Sequence, residues 1–282
     1  MLRTHRARTV RGTVARWRRH GRRVAFVPTM GAIHAGHLSL VTRARRHADR
    51  VVASVFVNPL QFGPGEDYRR YPRPAHRDRT LLRAAGVDLL WEPRVRDLYP
   101  AGFRTRVHVA GLGDVLEGVS RPGHMTGVAT VVLKLLDVVA PDTLWLGQKD
   151  AQQARLIEQM VRDLDLDLTV RRAPTLREKD GLAWSSRNAY LSGEERRQAV
   201  ALSAGLRAAR ARLEAGERSA ARLVAAVRRV WRAHPLVRED YVAVVDADRL
   251  EPLARVRGRV LVAVAARLGK ARLIDNFEWS PR

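Results

Sequence analysis

Apolar positions along this chain come in two rhythms, short continuous runs and stripes recurring every three to four residues, and the two alternate. The run "RRVAFV" (Arg22 to Val27), closed by Pro28, predicts a buried strand. "LSLVTRARRHADR" follows, apolar on one face, and predicts an amphipathic helix from Leu38 to about His47. A second strand is predicted over Arg50 to Asn58, then a Pro/Gly-rich loop, "PLQFGPGEDYRRYPRP", and a helix from Ala75 to Ala85. Val87 to Pro93 reads as a third strand, and "GHMTGVATVVLKLLDVVAPD" as a long helix that ends before Pro141. Thr143 to Gly147 is a fourth strand, "DAQQARLIEQMVRDLD" a helix, and "DLTVRRAP" a fifth strand. Strands alternating with helices of this length predict an α/β fold, a doubly wound parallel, Rossmann-like sheet.

Near Pro174 the pattern changes. "TLREKDGLAWSSRNAYLSGEERRQA" is polar, and Ser192 with Glu195 three residues on forms a capping box ahead of a helix. Helices are predicted over Gly193 to Glu214 and Ser219 to His234, then strands in "DYVAVVDAD" and "RVLVAVAARLGKARLIDN". The expected division is a larger domain, residues 1–174, and a smaller α+β domain, residues 175–282.

Composition narrows the classes. The chain has no cysteine, which excludes disulfides, thiolate metal sites and cysteine nucleophiles. No apolar run is long enough for a membrane span. The basic start, "MLRTHRARTVRGTVARWRRHGRR", lacks the apolar core of a secretory signal and reads as a short amphipathic helix feeding the first strand. The expectation is a soluble, cytoplasmic protein. A net charge of +23 raises the question of nucleic acid. Only four of the 52 basic residues are lysine (Lys134, Lys149, Lys179, Lys270), and arginine is spread through every segment with no basic tail. That distribution reads as solvated arginines on helix faces, and no specific nucleic-acid role is expected.

Candidate chemistry gathers at strand ends. "VPTMGAIHAGHL" carries His34, Gly36 and His37 where the first predicted strand gives way to a helix. A strand-to-helix turn at the carboxyl edge of a doubly wound sheet favours anions, and imidazoles can hydrogen-bond phosphoryl oxygens. Alone, a histidine pair at this spacing equally fits one surface and one packed ring, and no third ligand completes a metal site. Asn58 and Gln61 follow the second strand, where they could cap the loop or hold a hydroxyl or carboxylate. Gly147, Gln148, Lys149, Asp150 and Gln153 follow the fourth. Lys149, in a chain that otherwise chooses arginine, points to a compact ammonium able to stabilise charge developing on a phosphoryl group. "WSSRN" offers two hydroxyls and a guanidinium to phosphate oxygens, or an ordinary helix-opening turn.

Taken together, "PTMGAIHAGH", "SVFVNPLQFG", "EDYRRYPR", "LEGVSRPGHMTGVATVVLKLL", "GQKDAQQ", "REKDGLAWSSRNAYLS" and "ARLIDN" resemble the pantoate–β-alanine ligase family in order and spacing, over essentially the whole chain. The family belongs to the cytidylyltransferase-like nucleotidyltransferases, whose H-x-G-H and serine-containing loop also resemble class I aminoacyl-tRNA synthetases. The resemblance implies an ATP-dependent ligase. Pantoate's carboxylate attacks the α-phosphorus of ATP to give pantoyl adenylate and pyrophosphate, and the amine of β-alanine then displaces AMP. It implies ATP contacts from Met30, Gly31, Ala32, Ile33, His34, Ala35, Gly36 and His37, from Gly147, Gln148, Lys149 and Asp150, from Leu176, and from Trp184, Ser185, Ser186 and Arg187. His37 is implied as proton donor, with His34 also on the phosphates. Lys149, Ser185, Ser186 and Arg187 are implied to stabilise the transition state and the departing pyrophosphate. Gln61 and Gln153 would hold pantoate, and Gln61 would also border β-alanine. Magnesium would accompany ATP, with its protein ligands unidentified. A closing second domain and a homodimer through the first are implied as well.

Three positions depart from the family pattern. Gln148 stands where glutamate is usual, Trp184 where methionine is common, and Arg77-Asp78 where some members carry an acidic pair. Other readings considered are a nucleotidyltransferase acting on another small acid, a basic nucleic-acid-binding module, and a non-catalytic relative.

Overall fold

Residues 1–281 are described in the computed structural model, and they form two compact units. One comprises Met1–Gln148 with Gln153–Pro174, and the other Lys149–Gln152 with Thr175 onward.

The first unit is an α/β structure. In chain order it holds β1 (Leu2–Thr4), α1 (Ala7–Arg19), β2 (Val24–Thr29), α2 (Ala35–His47), β3 (Arg50–Val55), α3 (Ala75–Ala84) and β4 (Leu89–Trp91). It continues with the short α4 (Val95–Leu98) and α5 (Glu117–Ser120), then α6 (His124–Val139), β5 (Thr143–Gly147), α7 (Ala151–Asp163) and β6 (Thr169–Ala173). All six strands pair in parallel, in the order β1-β4-β3-β2-β5-β6. Val24, Ala25, Phe26 and Val27 on β2 are fully buried, as a central parallel strand covered on both faces requires. Alternate residues serve opposite faces. Phe26, Val52, Leu89 and Leu144 join one core with α6 residues such as Leu135 and Val139. Ala25, Val51, Ala53 and Trp145 join another with Val41 and Leu82. From β2 the chain runs outward to β3 and β4 on one side, where the N-terminal β1 pairs beyond β4, and through β5 to β6 on the other. The direction therefore reverses between β2 and β5, where open α/β sheets bind ligands beyond the carboxyl ends.

Three details correct the expectations from sequence. The N-terminal segment is not only a helix: Leu2–Thr4 adds an edge strand beside β4, in register Leu2 with Leu89. β3 ends at Val55, because Asn58 leaves the sheet to accept the Leu60 amide and cap a short 3-10 turn, Pro59–Gln61. The helix predicted over Gly193 to Glu214 breaks at Val200 into two. Ala199 and Ala201, on either side of the break, are both fully buried.

The second unit packs α8 (Gly193–Ala199), α9 (Ala201–Glu214) and α10 (Ala220–Trp231) with an antiparallel sheet, β7 (Arg238–Asp246), β8 (Val260–Leu268) and β9 (Ala271–Trp279). The capping box forms: Ser192 Oγ accepts the Glu195 amide at 3.2 Å and Glu195 Oε2 accepts the Ser192 amide at 2.8 Å. Among the described residues no helix is long and apolar enough to cross a membrane.

Candidate active site

The turn leaving β2 is built before any ligand enters it. Gly31 has φ +86° and Ala32 φ +49°, both left-handed. A side chain on Gly31 would also put its Cβ 3.0 Å from Asp78 Oδ2 and 3.1 Å from Val55 Cγ1. Ala32 carries a strain of roughly 1 kcal/mol in that conformation. It is held there by Asp78, whose carboxylate accepts the amides of Ala32 and Ile33, each at 2.8 Å. Asp78 is buried, and burial pushes its carboxyl above the ordinary aspartate range while the two amides and Arg77 pull it back. Thr29 Oγ1 accepts the Gly31 amide at 3.2 Å and donates to the Ser54 carbonyl at 2.8 Å. The amides of Gly31, Ala32 and Ile33 are thus engaged internally, so a phosphate here would meet imidazoles rather than those N–H groups.

His34 caps α2: its Nδ1 accepts the Gly36 amide at 3.1 Å. With Nδ1 as acceptor, the proton of the neutral ring lies on Nε2, the nitrogen on the far side of the ring from that bond. His37, in the first turn of the helix, stacks on His34 with ring centroids 4.0 Å apart. A cavity of about 230 Å³ opens beside this turn, lined by Met30, Gly31, Phe56, Tyr68 and Asp78 among others.

Gln61, buried at the end of the 3-10 turn, joins the same cluster. Its Nε2 donates to Met30 Sδ at 2.9 Å, and its Oε1 accepts from Asn58 Nδ2 at 3.0 Å. Asn58 also donates to the Gly127 carbonyl at 3.0 Å and accepts from Tyr99 Oη at 2.8 Å. The backbone of Gln61 is fixed as firmly. Its carbonyl accepts from Arg121 Nη2 at 3.1 Å and from His124 Nδ1 at 2.7 Å. Arg121 in turn grips Glu66 with two hydrogen bonds of 2.7 Å and donates Nη1 to His124 Nε2 at 2.9 Å. His124 is therefore neutral, protonated on Nδ1. Burial, and then the Arg121 guanidinium, push it down to about 4.

At the end of β5, Gly147 and Gln148 belong to the first unit, as does Gln153 in the opening turn of α7. Gln148 Oε1 accepts from Arg172 Nη1 at 3.1 Å, and Arg172 is paired with Glu158 at 3.0 Å. The amide that replaces the family's usual glutamate thus still meets a guanidinium.

The remaining candidates lie in the second unit. Lys149 Nζ is 3.5 Å from Asp150 Oδ1, and Asn276 Nδ2 donates to the Lys149 carbonyl at 2.8 Å. Leu176 and Trp184 face each other across a small hairpin, the Trp184 amide donating to the Leu176 carbonyl at 3.1 Å. Leu176 is 40% exposed, an apolar surface suited to a flat ring. Ser185 caps a 3-10 turn, Ser186–Tyr190, by accepting the Arg187 amide at 3.3 Å. Asn188 Nδ2 ties that turn to Glu178 Oε1 at 2.9 Å. Each unit therefore assembles its own subset: Met30 to His37 with Gln61 in the first, Leu176 with Trp184 to Arg187 in the second. Sequence reasoning assigned no role to Arg121, His124 or Asn276, although the motifs containing them stood out, and it noted Asp78 only as part of a departure from the acidic pair that some family members carry.

Comparison with known proteins bears on what these subsets do. A pantothenate synthetase of Moorella thermoacetica is 52% identical over 267 residues, 95% of this chain and 94% of that protein. The crystal structure of pantothenate synthetase from Thermus thermophilus matches with a TM-score of 0.94 at 48% identity, covering 100% of both chains. The pantoate-beta-alanine ligase of Francisella tularensis, crystallised with beta-gamma ATP and beta-alanine, matches with a TM-score of 0.80 at 33% identity over 98% of this chain and 97% of its own. The model of the Pantoate-beta-alanine ligase family matches residues 3–278, and with these likenesses the chain belongs to that family.

Proposed function

We propose that the chain condenses pantoate with β-alanine, cleaving ATP to AMP and pyrophosphate through a pantoyl adenylate. The observation that carries this reading is the prebuilt turn after β2, where two stacked imidazoles follow a backbone whose own amides are already engaged. That turn lies at the point where the strand order reverses, the customary place for a nucleotide in such sheets.

In the first step a carboxylate oxygen of pantoate attacks the α-phosphorus, and the bond to pyrophosphate breaks. Gln61 and Gln153 hold pantoate by neutral hydrogen bonds. His34, through Nε2–H, and His37 bind the phosphates, and His37 gives a proton to the departing pyrophosphate. Lys149, Ser185, Ser186 and Arg187 stabilise the charge spread over the transferring phosphorus. Leu176 and Trp184 border the base. In the second step the β-alanine nitrogen attacks the acyl carbon beside Gln61, AMP leaves, and the new amide loses a proton.

Magnesium fits this reading as a companion of the triphosphate. No group of three or more metal-ligating side chains occurs among the described residues, and Asp78 commits both oxygens to backbone amides. Magnesium typically keeps several waters and binds through substrate phosphates, which needs no protein cage. When bound it supplies charge neutralisation at the phosphates. The smaller unit serves as a lid that excludes water from the labile adenylate. A homodimer in the cytoplasm completes the reading, and sedimentation of the purified chain tests the dimer.

The deciding experiment measures AMP release from ATP and magnesium with pantoate, with and without β-alanine. Turnover requiring both acids, with pantothenate as product, is the expected result. Adenylate that β-alanine fails to discharge would assign another amine, and inactivity with pantoate would overturn the reading.

A further inference from the structure

The last strand of the second unit carries at its middle a pair of buried polar residues that the reaction above does not use. Asp275 and Asn276 on β9 are 2% and 5% exposed. Neighbouring residues on a strand point to opposite faces, so the two serve different partners. Asn276 directs its side-chain amide at the carbonyl of Lys149, 127 residues earlier, at 2.8 Å. Asp275 receives a forked pair from Arg177, Nη1 to Oδ2 at 2.6 Å and Nη2 to Oδ1 at 2.9 Å, and accepts the amide of Asn276 at 2.8 Å. Arg177 also donates to the Gly181 carbonyl at 3.0 Å, closing the hairpin whose arms carry Leu176 and Trp184. The middle of one strand thus holds both the lysine segment and the hairpin, all within the second unit.

We propose that Asn276 is a positioning residue for Lys149, fixing the peptide from which the ammonium projects, with Asp275 and Arg177 keeping that peptide in register with the hairpin. The argument is one of chemistry and burial. A buried side-chain amide whose donor meets a backbone carbonyl fixes that peptide plane, and the plane after Lys149 sets where its Cβ points. The 3-10 turn Gln148–Asp150 is a single short turn, so a long-range anchor determines its geometry more than its own hydrogen bonding does. A charge stabiliser misplaced by about 1 Å loses much of its effect on a transition state while still attracting the ground-state phosphates.

The proposal rests on the role assigned to Lys149, and its test separates the two. Single-turnover pyrophosphate release is measured with ATP, magnesium and pantoate for the wild type, Asn276→Asp, Lys149→Ala and the double variant. Asn276→Asp removes the donor at constant shape and sets an oxygen against the carbonyl. It is expected to slow the step by about 20-fold or more, with the KM for ATP changed by less than about 3-fold. In the Lys149→Ala background the same change is expected to have less than about a 2-fold effect, because the group it positions is gone. Asn276→Ser, which keeps a donor, is expected to fall between Asp and wild type, and it carries the same comparison should the Asp variant not fold. Equal factors in the two backgrounds would make Asn276 merely structural and overturn the proposal, as would a wild-type rate for Asn276→Asp. Near-normal release by Lys149→Ala alone would instead overturn the assignment of Lys149 and the proposal with it.

Discussion

Asp78 holds Ile33 from 45 residues away: its Oδ1 accepts the Ile33 amide at 2.8 Å while Oδ2 accepts that of Ala32. A buried carboxylate with two amide donors is the least replaceable part of this turn. Asparagine there presents a donor to one of the amides, leaving two N–H groups opposed. Asp78→Asn is expected to cost about 2 kcal/mol of stability and to raise the KM for ATP. Thermal unfolding and ATP titration check this together. An unchanged unfolding temperature would mean that the left-handed pair Gly31-Ala32 keeps its shape without Asp78.

His34 has two duties that mutation can separate. Its Nδ1 caps α2, and its Nε2–H takes no part in that bond. Asparagine is among the best caps but carries no imidazole. His34→Asn is therefore expected to unfold within a few degrees of wild type, yet to form adenylate at least about 10-fold more slowly. His34→Ala should add a stability loss of about 1 kcal/mol. Equal adenylation by the Asn variant and wild type would reduce His34 to a cap.

Gly127 lets the Gln61 turn lie against α6. A Cβ at that position would stand 2.2 Å from the Leu60 carbonyl oxygen and 2.7 Å from the Gln61 amide nitrogen, both backbone atoms that cannot swing aside. Gly127→Ala is expected to displace Gln61 and raise the KM for pantoate by at least about 10-fold, with the KM for ATP changed by less than about 3-fold. Steady-state kinetics in the two substrates decides it. A rise confined to ATP would place pantoate elsewhere.

Protonation of His124 gives a pH dependence of defined sign. Its folded value, about 4, lies below the ordinary 6.5, so between these values the unfolded chain binds the extra proton. Stability from this group is complete above about pH 6.5 and is lost as pH falls towards 4, by about 3 kcal/mol in all. His124→Asn keeps a donor for the Gln61 carbonyl but has nothing to titrate. Denaturant unfolding from pH 7 to 4.5 should show the variant losing less stability than wild type. Parallel slopes would assign the acid sensitivity to other groups.

What was legible in the sequence follows from contact range. β2 to β5 announced themselves as apolar runs and β6 by its place in the alternation, and the polar clusters at the ends of β2, β3 and β5 stand where the pattern put them. β1 has three residues with Leu2 half exposed, too short to give a pattern. The break at Val200 has no glycine or proline beside it to mark it in the sequence. Arg121, His124 and Asn276 act on backbone carbonyls 60, 63 and 127 residues away, and Asp78 on amides 45 and 46 residues away. Side chain-to-backbone bonds of that span impose no spacing on the sequence, so only the fold reveals them.

The boundary between the two compact units runs through Gly147-Gln148-Lys149-Asp150, with Gln148 on one side and Lys149 on the other. The chain crosses it between residues 148 and 149, returns between 152 and 153, and crosses again between 174 and 175. Cutting the gene at the last crossing would yield two pieces that each keep a whole sheet. The lysine would then ride on the piece that lacks its Asn276 anchor. Recombination that swaps the small domain for that of a distant relative meets the same obstacle, because Lys149 must match a strand more than a hundred residues downstream. A swap that preserves the Lys149–Asn276 bond has to carry residues 149–152 together with the small unit.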